Sequence, residues 1–144
     1  MDTRRLVLGT VVGGIVLHIV GWLIFTKAFA AFYAANAGSA TGVNRDSEIF
    51  WAVLLGNLAY ATLITYAMGN RGGPMTLGQG AVTGAIVGFL IWATADFILY
   101  GATNTSNLTR TVVDPLLEIV HGGIAGAAIA AVLRRAPAAS LSPA

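Results

Sequence analysis

Six ionisable side chains stand in stretches that are otherwise almost wholly apolar: His18, Lys27, Asp96, Asp114, Glu118 and His121. Such groups can carry protons, hold a cation, pair with one another, or ligate a metal through imidazole and carboxylate. Asp114, Glu118 and His121 are separated by four and three residues, which on a helix puts all three on one face. A helical rise of about 1.5 Å per residue, counted from the far end of each apolar run, places Lys27, Asp96 and Asp114 at about 9 Å depth. Glu118, with Asn57 from the second run, falls at about 15 Å, and His18 and His121 at about 20 Å. Separate runs agree in depth, which predicts one connected ligand-binding site in one half of a membrane. The three carboxylates face a single lysine at these depths, leaving surplus negative charge. Glu118, a full turn inside its helix, is therefore expected to be protonated, to bind a cation, or to be hydrogen-bonded into the layer with Asn57.

Each of these residues also has a plainer role. Lys27 is close enough to the boundary to reach headgroups. Asp114 precedes Pro115, the pattern of an N-cap followed by a first-turn proline. Asp96 can pair with Lys27 or Arg110. Trp22 and Trp92 lie one turn from the cluster and are candidate walls, although interfacial or lipid-facing positions suit them as well.

The chemistry these residues leave out is equally informative. Glu118 and His121 form Glu-x-x-His, half of a di-iron carboxylate motif, and the second half is missing. His18 and His121, at matching depth, are the only imidazoles that could bind one haem b axially. There are no cysteines, so disulfides and thiolate metal sites are excluded. Serines are confined to loops and tail, and no nucleophile–base spacing stands out, so no catalytic residue or metal site is expected.

The elements that position the cluster follow from composition. Of the 144 residues, 56% are hydrophobic and 10% charged, against about 25% charged in soluble domains. A chain so apolar needs lipid as the solvent for its outer surface. Four runs are long enough for transmembrane helices, at about 6–33, 48–69, 77–101 and 108–134, and none alternates with the period of a barrel strand. The expectation is an all-α, integral membrane four-helix bundle in one domain over 1–135, with a disordered tail at 136–144. The first run exceeds a signal-peptide core, so it is read as a retained helix. Arg4, Arg5, Arg71, Arg134 and Arg135 fall on one side, and Arg45 and Arg110 on the other. The richer side is cytoplasmic, giving N-in/C-in topology in a bacterial cytoplasmic (inner) membrane. The net charge of +2 has no basic stripe, so nucleic acid is not an expected partner.

Lipid gives no hydrophobic drive between helices, so close contacts depend on small residues. Gly80, Gly84 and Gly88 recur every four residues on the third run, as do Gly122, Gly126 and Ala130 on the fourth. These stripes predict a contact between the two helices in the cytoplasmic half, with a cavity opening in the other half. Gly9 and Gly13 are left for a further contact, such as one between two copies.

The segments Thr94-Ala95-Asp96-Phe97, Thr103-Asn104 and Val112-Val113-Asp114 resemble those of small bacterial four-helix membrane proteins of unknown function, in which an aspartate closes the third helix and a Val-Asp pair opens the fourth. The resemblance spans about half the chain and implies shared positions at Asp96 and Asp114, without an activity. Pro115 and Glu118 depart from the aromatic-glycine pair typical of that pattern. Taken together, the residues point to binding or transport of a proton, cation or small molecule, with a homodimer needed for transport. The competing readings are a structural or accessory subunit of a membrane complex and, behind it, a haem-b protein.

Overall fold

The computed structural model describes residues 2–69 and 75–135; the expected disordered tail, Arg71 and Pro74 lie outside the described residues. The chain forms α1 (Thr3–Gly21), which runs directly into a π-helical segment (Trp22–Ala28), then α2 (Ala30–Ala35), α3 (Phe50–Gly69), α4 (Leu77–Ala102) and α5 (Leu108–Arg135). Thr3–Ala28, Phe50–Gly69, Leu77–Ala102 and Leu108–Arg134 are each long and apolar enough to cross a membrane. Among the described residues there is no β-strand, only an isolated bridge between Ala37 and Ser106.

Two element boundaries differ from the sequence expectation, and both shape the candidate site. The first span does not continue as one helix to Tyr33. Its last turns widen into the π segment, where the Phe29 amide donates to the Ile24 carbonyl at 2.8 Å, and the helix breaks at Phe29. The short α2 follows this break. Asp114 is not an N-cap either. Asn107 caps α5, accepting from the Arg110 amide at 2.9 Å, so the helix begins at Leu108 and Pro115 lies inside it. A proline there has no N–H for the Thr111 carbonyl one turn back. Tertiary anchoring overrides the local signal: Thr111 is buried, and its hydroxyl reaches the Asn107 carbonyl at 2.9 Å and Ser106 Oγ at 3.2 Å.

The four long helices form a ring in the order α1, α3, α4, α5, closed most tightly between α4 and α5. Glycine sets that closeness. A Cβ on Gly84 would strike the Gly122 carbonyl, one on Gly80 the Gly126 carbonyl, and one on Gly126 the Gly80 carbonyl. These backbones touch directly, as small-residue stripes allow. On the other side, α1 meets α3 through Gly9 against Thr65, Gly14 against Leu58, and a Thr10–Thr62 hydroxyl pair at 3.0 Å. Gly13 faces Ala61 and Ile129. The Gly9 and Gly13 positions are thus filled by the chain's own α3 and α5, not by a second copy. Leu17, Ala61, Ile64, Met68, Ala125, Ile129 and Leu133 pack between the helices toward the end that carries both termini. Many large apolar side chains point outward instead, including Val11, Ile15, Leu55, Leu90 and Val120.

At the opposite, distal end the loops lock together. The Gly38 amide donates to the Thr105 carbonyl at 3.2 Å, and the Ala40 amide to the Asn104 carbonyl at 3.0 Å. Asn107 Nδ2 donates to Asn36 Oδ1 at 3.1 Å. Any side chain on Gly38 would run into the Asn104 backbone, so glycine is needed for this approach. The latch joins the segment after α2 to the start of α5.

Candidate functional site: a polar cavity at the distal end

Between this latch and the tightly packed half of the bundle lies a cavity of about 670 Å³, well within the range of small-molecule sites. Leu17, His18, Gly21, Trp22 and Phe25 line one wall, and Tyr33 of α2 lies above. Val53 and Asn57 of α3 and Trp92 of α4 complete the sides, with Asn44 and Glu48 from the loop before α3. The remaining wall is one face of α5, which presents Arg110, Asp114, Glu118 and His121. The last three are 7%, 1% and 4% exposed, so their polar atoms must find partners within the protein or in a ligand.

Glu118 and His121 are met within the protein. His121 Nδ1 lies 2.8 Å from Glu118 Oε2, and its Nε2 lies 2.9 Å from the Leu17 carbonyl of α1. The Tyr60 hydroxyl of α3 donates to the same Oε2 at 3.2 Å. The carbonyl can only accept, so Nε2 carries hydrogen. The bond between Nδ1 and Oε2 then holds one proton, and the pair is neutral as a whole wherever that proton sits. The glycines build this arrangement. Tyr60 reaches Glu118 through the slot between Gly88 and Gly122, where any Cβ would collide with its hydroxyl. A Cβ on Gly21 would lie 3.1 Å from His121 Nε2, so α1 approaches the ring closely there. The Phe25 ring packs edge-on against His121 at 5.4 Å and against Tyr33 at 5.9 Å.

The outer carboxylates are arranged differently. Tyr33 donates to Asp114 Oδ1. Burial, and then Asp114 itself, hold the Tyr33 hydroxyl above its ordinary pKa, so it remains a donor. The Asp96 carboxyl sits beside that of Asp114. Its Oδ2 is buried without a hydrogen-bond partner among the described residues. Two ionised carboxylates offer only acceptors, so a proton or a cation between them is needed to make this contact favourable.

The other residues expected at the site divide between the cavity and its surroundings. His18 lines the cavity, accepts from Asn57 Nδ2 at Nδ1 (3.3 Å), and packs edge-on against Phe50 at 5.3 Å. Asn57 therefore serves His18 and not Glu118, whose partners are His121 and Tyr60. Trp22 and Trp92 are 49% and 36% exposed, yet each contributes to a wall. Lys27 is exposed, with its ammonium 4.8 Å above the Trp22 ring, and stays out of the cavity lining. Both ring nitrogens of His121 are engaged, which leaves neither free for a haem iron. No three His, Asp or Glu side chains converge as a metal site among the described residues.

Tyr33 and Tyr60 are not marked as site residues by the sequence, and Arg110, expected there only as a candidate partner of Asp96, lines the cavity without an ion pair among the described residues. Tyr60 stands three residues after Asn57, one helical turn deeper, and could have been found by extending the depth count to hydroxyls. Tyr33 could not, because the break at Phe29 carries no proline or glycine to mark it. Compared with models of known families, with characterised proteins and with solved structures, the chain matches none.

Proposed function

We propose that this chain is a multi-pass protein of a bacterial inner membrane, with both termini in the cytoplasm, that binds a small cationic ligand in its outer cavity. The arginine distribution supports the orientation, since a positive-inside arrangement puts the distal end outside. The observation that carries the binding reading is the contrast between the two acidic groups. Glu118 is balanced by His121, whereas the Asp96–Asp114 pair has no ion-pair partner within 4 Å among the described residues. A protonated amine at Asp114 would supply the missing donors and charge, and the aromatic wall around it suits an organic cation.

The reading as a structural or accessory subunit keeps one observation in its favour. The Leu17–His121–Glu118–Tyr60 network ties α1, α5 and α3 together and is fully satisfied without a ligand. That inner layer is read as a lock and the outer pair as the binding centre. Passage across the membrane would require a second copy, because direct backbone contact of α4 with α5 closes the inner half.

Binding of butylamine to the full chain in detergent micelles, followed by fluorescence of the cavity tryptophans Trp22 and Trp92, tests the proposal. Saturable binding should weaken at least tenfold in Asp114→Asn. Equal binding in the variant, or none by the unaltered chain, overturns it.

A further inference from the structure

Arg110 is the one feature of the cavity that a purely cationic ligand leaves unexplained. It stands four residues before Asp114 on the same face of α5, about 6 Å further out along the axis. A guanidinium beside buried carboxylates ordinarily pairs with one of them, in a planar two-pronged geometry. Here it does not: no ion pair forms within 4 Å, to Asp114 or to Glu48 of the rim, among the described residues. The guanidinium instead lies 4.9 Å from the centre of the Tyr33 ring. Tyr33 in turn donates to Asp114, so the ring stands as a spacer that keeps the two charges apart.

One cavity wall thus carries a positive charge at its outer end, its guanidinium without an ion-pair partner among the described residues, and one turn deeper the Asp114 carboxylate, which Asp96 of α4 backs from outside the cavity lining. A simple inorganic cation would meet the acids and be repelled by the arginine. A simple anion would meet the reverse. We infer that the cavity takes a small zwitterion, its anionic group held by Arg110 and its ammonium group by Asp114. The inference rests on the proposal that Asp114 binds a cationic group, and it names the chemical class of the ligand. A few bonds between the two charges span the separation, and the apolar stem would lie along Phe25 and Tyr33.

Three probes of equal length separate the alternatives: 4-aminobutanoate, butylamine and butanoate, measured by equilibrium dialysis against the full chain in micelles. The zwitterion should bind at least tenfold more tightly than butylamine. Arg110→Gln should erase that advantage while leaving butylamine binding unchanged or tighter, and Arg110→Lys should retain part of it. Should butylamine bind the unaltered chain as tightly as 4-aminobutanoate, the zwitterion inference falls and the cation site stands. Should butanoate alone bind as tightly and persist in Asp114→Asn, the cavity is an anion site and both readings fall. Failure of all three probes to bind likewise overturns both.

Discussion

Glu118→Gln is a sharper perturbation than its small change in shape suggests. Two groups converge on one oxygen, Oε2: His121 Nδ1 at 2.8 Å and the Tyr60 hydroxyl at 3.2 Å. A carboxylate oxygen can accept from both, whereas an amide presents either an oxygen or an NH2 at that position. With oxygen there, Tyr60 keeps its bond, but a neutral His121 that donates to it from Nδ1 has no hydrogen left on Nε2 for the Leu17 carbonyl. With NH2 there, a neutral His121 is served and the Tyr60 proton loses its acceptor. One buried bond is lost either way, at about 1–3 kcal/mol. Glu118→Ala strips both partners at once and should cost about 3–5 kcal/mol, the usual cost of breaking a buried pair. Reversible unfolding in mixed micelles by dodecyl sulfate, for both variants and for each combined with His121→Ala, reads these differences. In the His121→Ala background, Gln can turn its oxygen to Tyr60, so its cost should nearly vanish. A Gln variant as stable as the unaltered chain would refute the shared-oxygen argument.

Two further outcomes are expected. Gly84→Ala places its Cβ 2.9 Å from the Gly122 carbonyl carbon and the Gly126 Cα, so α4 and α5 must part at about 1–3 kcal/mol, while Gly56→Ala meets nothing within 4 Å and should gain about 0.5–1 kcal/mol; unfolding in micelles that ranks the two variants in the opposite order would refute the packing. A reporter enzyme active only in the periplasm should be silent when fused after Arg135, and strong activity there would overturn the proposed orientation.

What the sequence made legible divides along physical lines. Length and hydropathy define the four long helices because a helix able to cross a membrane needs an uninterrupted apolar run, and the four-residue glycine recurrence marks the faces where α4 and α5 touch. Depth counting brought His18, Asp114, Glu118 and His121 to one cavity, since helical rise is regular. It failed where regularity fails. The π segment and the break at Phe29 depend on tertiary contacts and turn Tyr33 toward Asp114. The Asp114-Pro115 pair carried a strong local capping signal that Asn107, tethered to Asn36, overrides. Lys27 matched the depth of Asp96 but not its direction, because depth along a helix says nothing about which neighbour a side chain faces. Pairings such as Tyr60 with Glu118 require knowing which glycines leave a slot, and that is a property of two helices together.

The π-helical stretch Trp22–Ala28 also has a consequence for lineages of this protein. A π turn is an α-helix holding one residue too many. Loss of a single residue from this stretch would let it relax to ordinary helix and carry everything beyond it about 100° around the axis. Hydropathy would hardly change, so the first span would stay long and apolar enough to cross a membrane. Its Tyr33, however, would swing away from Asp114, leaving Arg110 free to collapse onto the carboxylate it is now held from. Chain length at this one point would act as an inherited switch between an open, doubly charged pocket and a self-neutralised one.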